Sequence, residues 1–183
     1  MKSLILAAGV ATLALPVGAA NAAVYSVGGP LAQECYEAAV SRDVRSFSVD
    51  ECTRALTEEA LLAPDRAATY VNRGILQMIL GRDQSADADF DQALAIDGNL
   101  SDAYLNKGFL RIRDGKGQEA LPLVQKGIET GARRQSLAYF ARGVAYEQAG
   151  DYSSAYRDLM RAREMEPSWS LPKEWLAHYH VHR

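Results

Sequence analysis

With 183 residues, 20 Lys and Arg against 23 Asp and Glu, and a formal net charge of −3, the chain is mildly acidic. That balance excludes a general nucleic-acid binder, whose affinity comes largely from Lys and Arg neutralising phosphates. The length suits one domain with a real core, and nothing beyond the N-terminal stretch is apolar enough to span a membrane.

The chain opens on Lys2, an uncharged apolar run from Leu4 to Leu15, Pro16, and small residues closing with Ala20, Asn21 and Ala22. That order is a secretory signal peptide over residues 1–22 with an A-x-A cleavage site, so the mature chain is expected to begin at Ala23. The run is about half the ~20 residues a bilayer-spanning helix needs, so the segment is expected to be removed. A Gram-negative periplasm is the preferred location, with full secretion as the other destination. Residues 23–30 read as a flexible N-terminal segment. Export places Cys35 and Cys52 where disulfides persist, and the even count argues for pairing over two buried free thiols. If residues 31–40 and 48–62 form an antiparallel helix pair, the two cysteines lie at similar distances from its turn.

Past residue 66 the chain repeats. Gly74 recurs as Gly108 and Gly143, at spacings of 34 and 35 residues. Ala86, Ala120 and Ala155 follow at a constant offset, and Ala93, Gly127 and Ala162 seven residues later. A glycine inside a helix costs about 1 kcal/mol relative to alanine, so three in register imply a steric demand, close approach of two antiparallel helices. Apolar residues between them recur near 3.6, as in Tyr104, Phe109 and Ile112, which predicts helices and not strands. Gly81-Arg82-Asp83, Gly115-Lys116-Gly117 and Gly150-Asp151-Tyr152 mark the hairpin bends; Asp97-Gly98-Asn99, Gly131-Ala132 and Glu166-Pro167 mark the breaks between repeats. Ser170 to His182 reads as a capping helix with Leu171, Trp175, Leu176 and Tyr179 along one face.

Residues 136–169, with Tyr139, Gly143, Tyr146, Gly150, Tyr152, Ala155, Leu159, Ala162 and Pro167, resemble a tetratricopeptide repeat. Residues 67–100 and 101–135 are similar to imperfect copies, the second carrying Pro122 inside its second helix, tolerable within a first turn. Residues 31–66 resemble a degenerate helix pair in which Cys52 takes the small-residue place. The resemblance implies an all-α fold, a right-handed α-solenoid of antiparallel helix pairs closed by the capping helix and tail of residues 170–183.

The same resemblance implies that the first helix of each pair lines a concave groove for a partner peptide. The positions carried over are Val71, Asn72, Ile75 and Met78; Leu105, Asn106, Phe109, Ile112 and Arg113; and Phe140, Val144 and Gln148. Asn72 and Asn106 stand one period apart, and their amides could bond a ligand backbone, each being donor and acceptor. The expected partner is a protein or peptide segment. The alternatives are a groove covered by the N-terminal segment or filled in a homo-oligomer. Arg73, Lys107 and Arg142, each before a repeat glycine, are expected to cover apolar surface with their stems and to meet acids of adjacent helices. Asp87, Asp89 and Asp91 read as a solvated face.

All three histidines fall in the tail, and imidazoles at that density can bind Zn, Cu or Ni, with His178 and His182 sharing a helix face. No cysteine or acid completes such a site, and the simpler reading is a solvated tail. With the histidines there, no Ser/His/Asp or Cys/His constellation can be assembled from the repeats, so neither catalysis nor a cofactor is expected.

Overall fold

The computed structural model describes residues 4–7, 22–25, 28–42, 44 and 48–182, with the backbone alone for 4–7, 181 and 182. The expected cleavage-site residues Ala20 and Asn21 lie outside the described residues. Among those described, nine helices follow one another as antiparallel hairpins in an α-solenoid: α1 (Pro30–Ser41), α2 (Ser48–Glu58), α3 (Ala63–Ile79), α4 (Asp83–Ile96), α5 (Ser101–Arg113), α6 (Gly117–Glu129), α7 (Gln135–Gln148), α8 (Tyr152–Met165) and α9 (Ser170–Leu176). No helix among them is long and apolar enough to cross a membrane.

The degenerate pair is α1 and α2, joined by a Cys35–Cys52 disulfide at a sequence separation of 17. Closing a loop of that size contributes about 3 kcal/mol in the chain-entropy account. A carboxylate reinforces the pair: Leu31 and Ala32 at the start of α1 donate their amides to Glu59 at 2.9 and 3.1 Å, satisfying N–H groups that a helix start leaves open.

The repeat glycines sit where helices meet. A Cβ at Gly74 would lie 2.5 Å from the Phe90 ring, at Gly108 2.5 Å from Val124 Cγ2, and at Gly143 3.0 Å from Leu159 Cγ. The tight contact is therefore with Phe90, Val124 and Leu159. The repeat alanines Ala86, Ala120 and Ala155 are fully buried one turn earlier, and Ala155 brings its carbonyl oxygen to 3.2 Å from the added atom at Gly143. At the bends, Gly81, Gly115 and Gly150 have φ of 71°, 73° and 82°. The next amide in each case bonds five residues back, from Arg82 to Gln77, Lys116 to Arg111 and Asp151 to Tyr146, at 2.8–2.9 Å, the closure that a left-handed glycine permits. Pro122 lies past the first turn of α6, which nonetheless runs unbroken to Glu129.

Three boundaries differ from expectation. The first repeat's helix begins at Ala63, ahead of residue 67, with Pro64 in its first turn. The capping helix stops at Leu176, and Tyr179–His182 form a strand, β2, antiparallel to β1 (Leu4–Ala7) with Leu4 opposite His182. Tyr179 and Val181 alternate with His180 and His182, a period of two that suits a strand. Residues 22–25 are not a free tail: Val24 is only 8% exposed and belongs to the core.

Candidate functional site

The first helices of the three repeats pack in order, α3 against α5 and α5 against α7, and helical spacing puts the expected groove residues of each helix along one side. That face is covered. Val71, Asn72, Ile75, Leu105, Asn106 and Phe140 are fully buried, and Met78, Phe109, Ile112 and Val144 are at most 6% exposed. Part of the cover is the chain's own N-terminal segment. Val24 donates its amide to Asn72 Oδ1 at 2.9 Å, and its carbonyl accepts from Asn72 Nδ2 at 2.7 Å. Two residues upstream, the Ala22 carbonyl accepts from Asn106 Nδ2 at 3.3 Å. An extended chain turns the same side outward every second residue, about 7 Å apart, and neighbouring helix axes are about 8–10 Å apart, so two asparagines one repeat apart can read alternate residues of one strand-like segment. In the third repeat the equivalent place is Ala141, which has no side-chain amide, so the asparagine series ends after two helices.

Elsewhere the groove positions have structural work. Arg113 donates to the Met78 carbonyl at 2.7 Å and pairs with Asp83, while Gln148 donates to the Ile112 carbonyl at 2.8 Å. Each thus closes the C-terminal end of the preceding first helix, where carbonyls lack helical partners. Phe140 lies beneath the cap, 5.0 Å from the Trp169 ring and 5.4 Å from the Trp175 ring, edge to face with the latter. Beside it, Glu147 accepts from Trp175 Nε1 at 2.8 Å and from the Tyr179 hydroxyl. Burial, and then that bond to a carboxylate, push the Tyr179 hydroxyl far above the usual phenol range.

The basic series is structural, as expected. Arg73 makes two bonds to Asp89 at 2.9 and 2.7 Å, and Arg142 repeats the geometry on Asp158 at 2.6 and 2.9 Å. These carboxylate bonds hold both guanidiniums above their ordinary pKa. In the second repeat the acid's place holds Leu123, and Lys107 turns back to Asp91 at 2.6 Å and Asp87 at 3.1 Å. Asp89 is 4% exposed, so Asp87, Asp89 and Asp91 are not a plain solvated face but the acids of this network. Burial alone would raise Asp87; bonds from Arg111 and Lys107 outweigh it and hold the carboxyl below its ordinary range.

At the far end of the segment a cavity of about 280 Å³ is bordered by Ala22, Ala23, Asp102 and three arginines, Arg42, Arg133 and Arg134. Sequence reasoning did not single out Asp102, and it raised the N-terminal segment only as an alternative cover of the groove, without the residues that make the bonds. The asparagine spacing pointed to a bound backbone, but not to one 48 and 84 residues away in the same chain. The tail histidines do not share a helix face, since α9 ends before them and His178 sets Nδ1 3.1 Å from the Trp175 carbonyl. Among the described residues no group of three His, Cys, Asp or Glu could hold a metal ion.

The family model described as tetratricopeptide repeat matches residues 67–100 and 137–168. The fold is similar to the MamA RS-1 ArsTM double mutant, with a TM-score of 0.63 and 19% identity over 81% of this chain and 82% of that one. It is similar to a crystal structure of MamA at 0.62 and 16%, over 78% and 80%. MamA from residue 41 to its end, from Desulfovibrio magneticus RS-1, matches at 0.62 and 24%, over 81% and 82%. Identities of this size carry the fold alone.

Proposed function

Because this chain is a tetratricopeptide-repeat protein, we propose that it is a non-enzymatic binding module of the cell envelope whose inner face takes an extended, small-residue peptide by its backbone. One observation carries the reading: the two-point bond between the Asn72 carboxamide and both backbone groups of Val24. A primary amide that gives and accepts at one residue recognises a main chain, and the apolar wall around it accepts a small side chain. Residues 22–25 of the uncut chain, and residues 23–25 after cleavage, act as the resident ligand, and a partner segment of like character competes with them. The A-x-A leader and the Cys35–Cys52 bridge support an exported location, preferably periplasmic.

The test removes the resident and offers it back. A chain beginning at Pro30 is titrated with a synthetic peptide of residues 22–29, followed by calorimetry. Saturable one-to-one binding is expected, while the full chain binds the same peptide at least about tenfold more weakly because its own segment competes. A folded, truncated chain that ignores the peptide overturns the proposal.

A further inference from the structure

Where residues 22 and 23 meet α5, beside the cavity, polar demand is unmet. Asn106 is fully buried, and its Nδ2 is used by Ala22 and by the Asp102 carbonyl at 2.8 Å, yet Oδ1 has no donor among the described residues. Asp102, one turn earlier on α5, has a side chain 5% exposed and, among the described residues, a single paired cation, Arg133, at 3.5 Å from its carboxylate. Burial raises its pKa, and Arg133 only partly offsets this. A buried acceptor without a donor is costly, so such a place points to a missing group.

Ala23 borders the same cavity, and its nitrogen is bonded to the carbonyl carbon whose oxygen Asn106 holds. In the uncut chain that nitrogen is an amide with one N–H and no charge. Resting on the reading of residues 22–25 as resident ligand, we infer that cleavage between Ala22 and Ala23 creates the ligand of this cavity: the α-ammonium of Ala23, held by the Asp102 carboxylate and Asn106 Oδ1. The step is hydrolysis by a leader peptidase. The C–N bond breaks, the oxygen of water joins the Ala22 carbonyl, which leaves as carboxylate, and the nitrogen becomes an ammonium with three N–H donors. Asn106 loses the Ala22 carbonyl and gains a donor for its orphaned oxygen.

Among the described residues the other charges at the cavity are three arginines, and two are engaged. Arg133 is on Asp102, and Arg134 is held by Glu166 at 2.9 and 3.0 Å with its guanidinium 4.6 Å from the Trp169 ring centre. Arg42 stands at the end of α1. Processing therefore does more than remove a leader: it converts a neutral link into a cation that locks the segment in the groove. The ammonium pKa is raised in the folded state, so its stabilisation is complete below the unfolded value and is lost as pH rises through the folded one.

The protein is purified after export from its full-length chain, its N-terminus read by mass spectrometry, and the Ala23 methyl resonance followed against pH. The expected N-terminus is Ala23, titrating about one unit or more above the usual 7.7–8.0, a tenfold tighter hold on the proton. Asp102→Asn is expected to return it to the usual range. An N-terminus elsewhere, or an ordinary pKa in the wild-type protein, overturns the inference whether or not the variant folds. Amide exchange at Val24 in the same sample separates the two readings. Slow exchange with an ordinary Ala23 pKa sinks the ammonium site and leaves the groove reading standing; fast exchange sinks both.

Discussion

Replacing Asn72 by leucine is expected to abolish binding of the 22–29 peptide to the truncated chain and, in the full chain, to let residues 22–25 leave the inner face. Asn72 is fully buried, and its two bonds satisfy both backbone groups of Val24. Leucine keeps comparable bulk but leaves the Val24 N–H and C=O unpaired if the segment stays, at about 1–3 kcal/mol for each group. Departure into water is cheaper, and even the low end of that range corresponds to a loss of about tenfold or more in affinity for the peptide. Asn106→Leu should cost less, because its bond to Ala22 is longer, 3.3 Å, and Nδ2 also serves Asp102. Calorimetry on the two variants ranks them; equal or negligible losses would show that the carboxamides do not read the backbone.

Phe140→Ala is expected to loosen the C-terminal cap and lower stability by about 3–5 kcal/mol, the usual result of truncating a buried aromatic ring. Phe140 is fully buried and meets Trp169 and Trp175. Losing it takes away aromatic contacts worth about 0.5–1.5 kcal/mol beyond the area they bury, and α9 has only seven residues to hold it in place. Urea unfolding should show a lower midpoint, with tryptophan emission shifting red before helicity is lost. The same substitution at an exposed ligand contact would alter stability by no more than about 0.5 kcal/mol. A midpoint unchanged to that degree would return Phe140 to the open groove that the repeat pattern alone assigns it.

Much of the fold was legible because repeats write their packing into sequence. Gly74, Gly108 and Gly143 mark close helix contacts, and Gly81, Gly115 and Gly150 mark the bends, each through a local steric need. The cysteine pair followed from compartment and parity and is bonded as expected. The basic series was also readable, and even its exception is written in the chain: Leu123 replaces the acid, and Lys107 turns to the previous repeat. The condition of the groove was legible only as one alternative, cover by the N-terminal segment, beside a partner peptide and a homo-oligomer. Asn72 and Asn106 announced a backbone ligand, but periodicity describes only contacts between neighbouring repeats, and Val24 belongs to no repeat. For the same reason Arg113 and Gln148 were carried over as ligand contacts although they close the ends of α3 and α5. The capping helix was legible but its end was not, because a helix ending at Leu176 and a strand from Tyr179 share one short stretch, in which periods of 3.6 and 2 cannot be separated.

The groove's role depends on whether the inner face is occupied by the chain's own segment in solution. Nuclear Overhauser contacts between the Asn72 side-chain amide protons and the Val24 backbone decide it most directly. We expect strong intramolecular contacts that vanish in Asn72→Leu. Random-coil shifts at residues 23–25, with no contact to Asn72 in the folded protein, would contradict it.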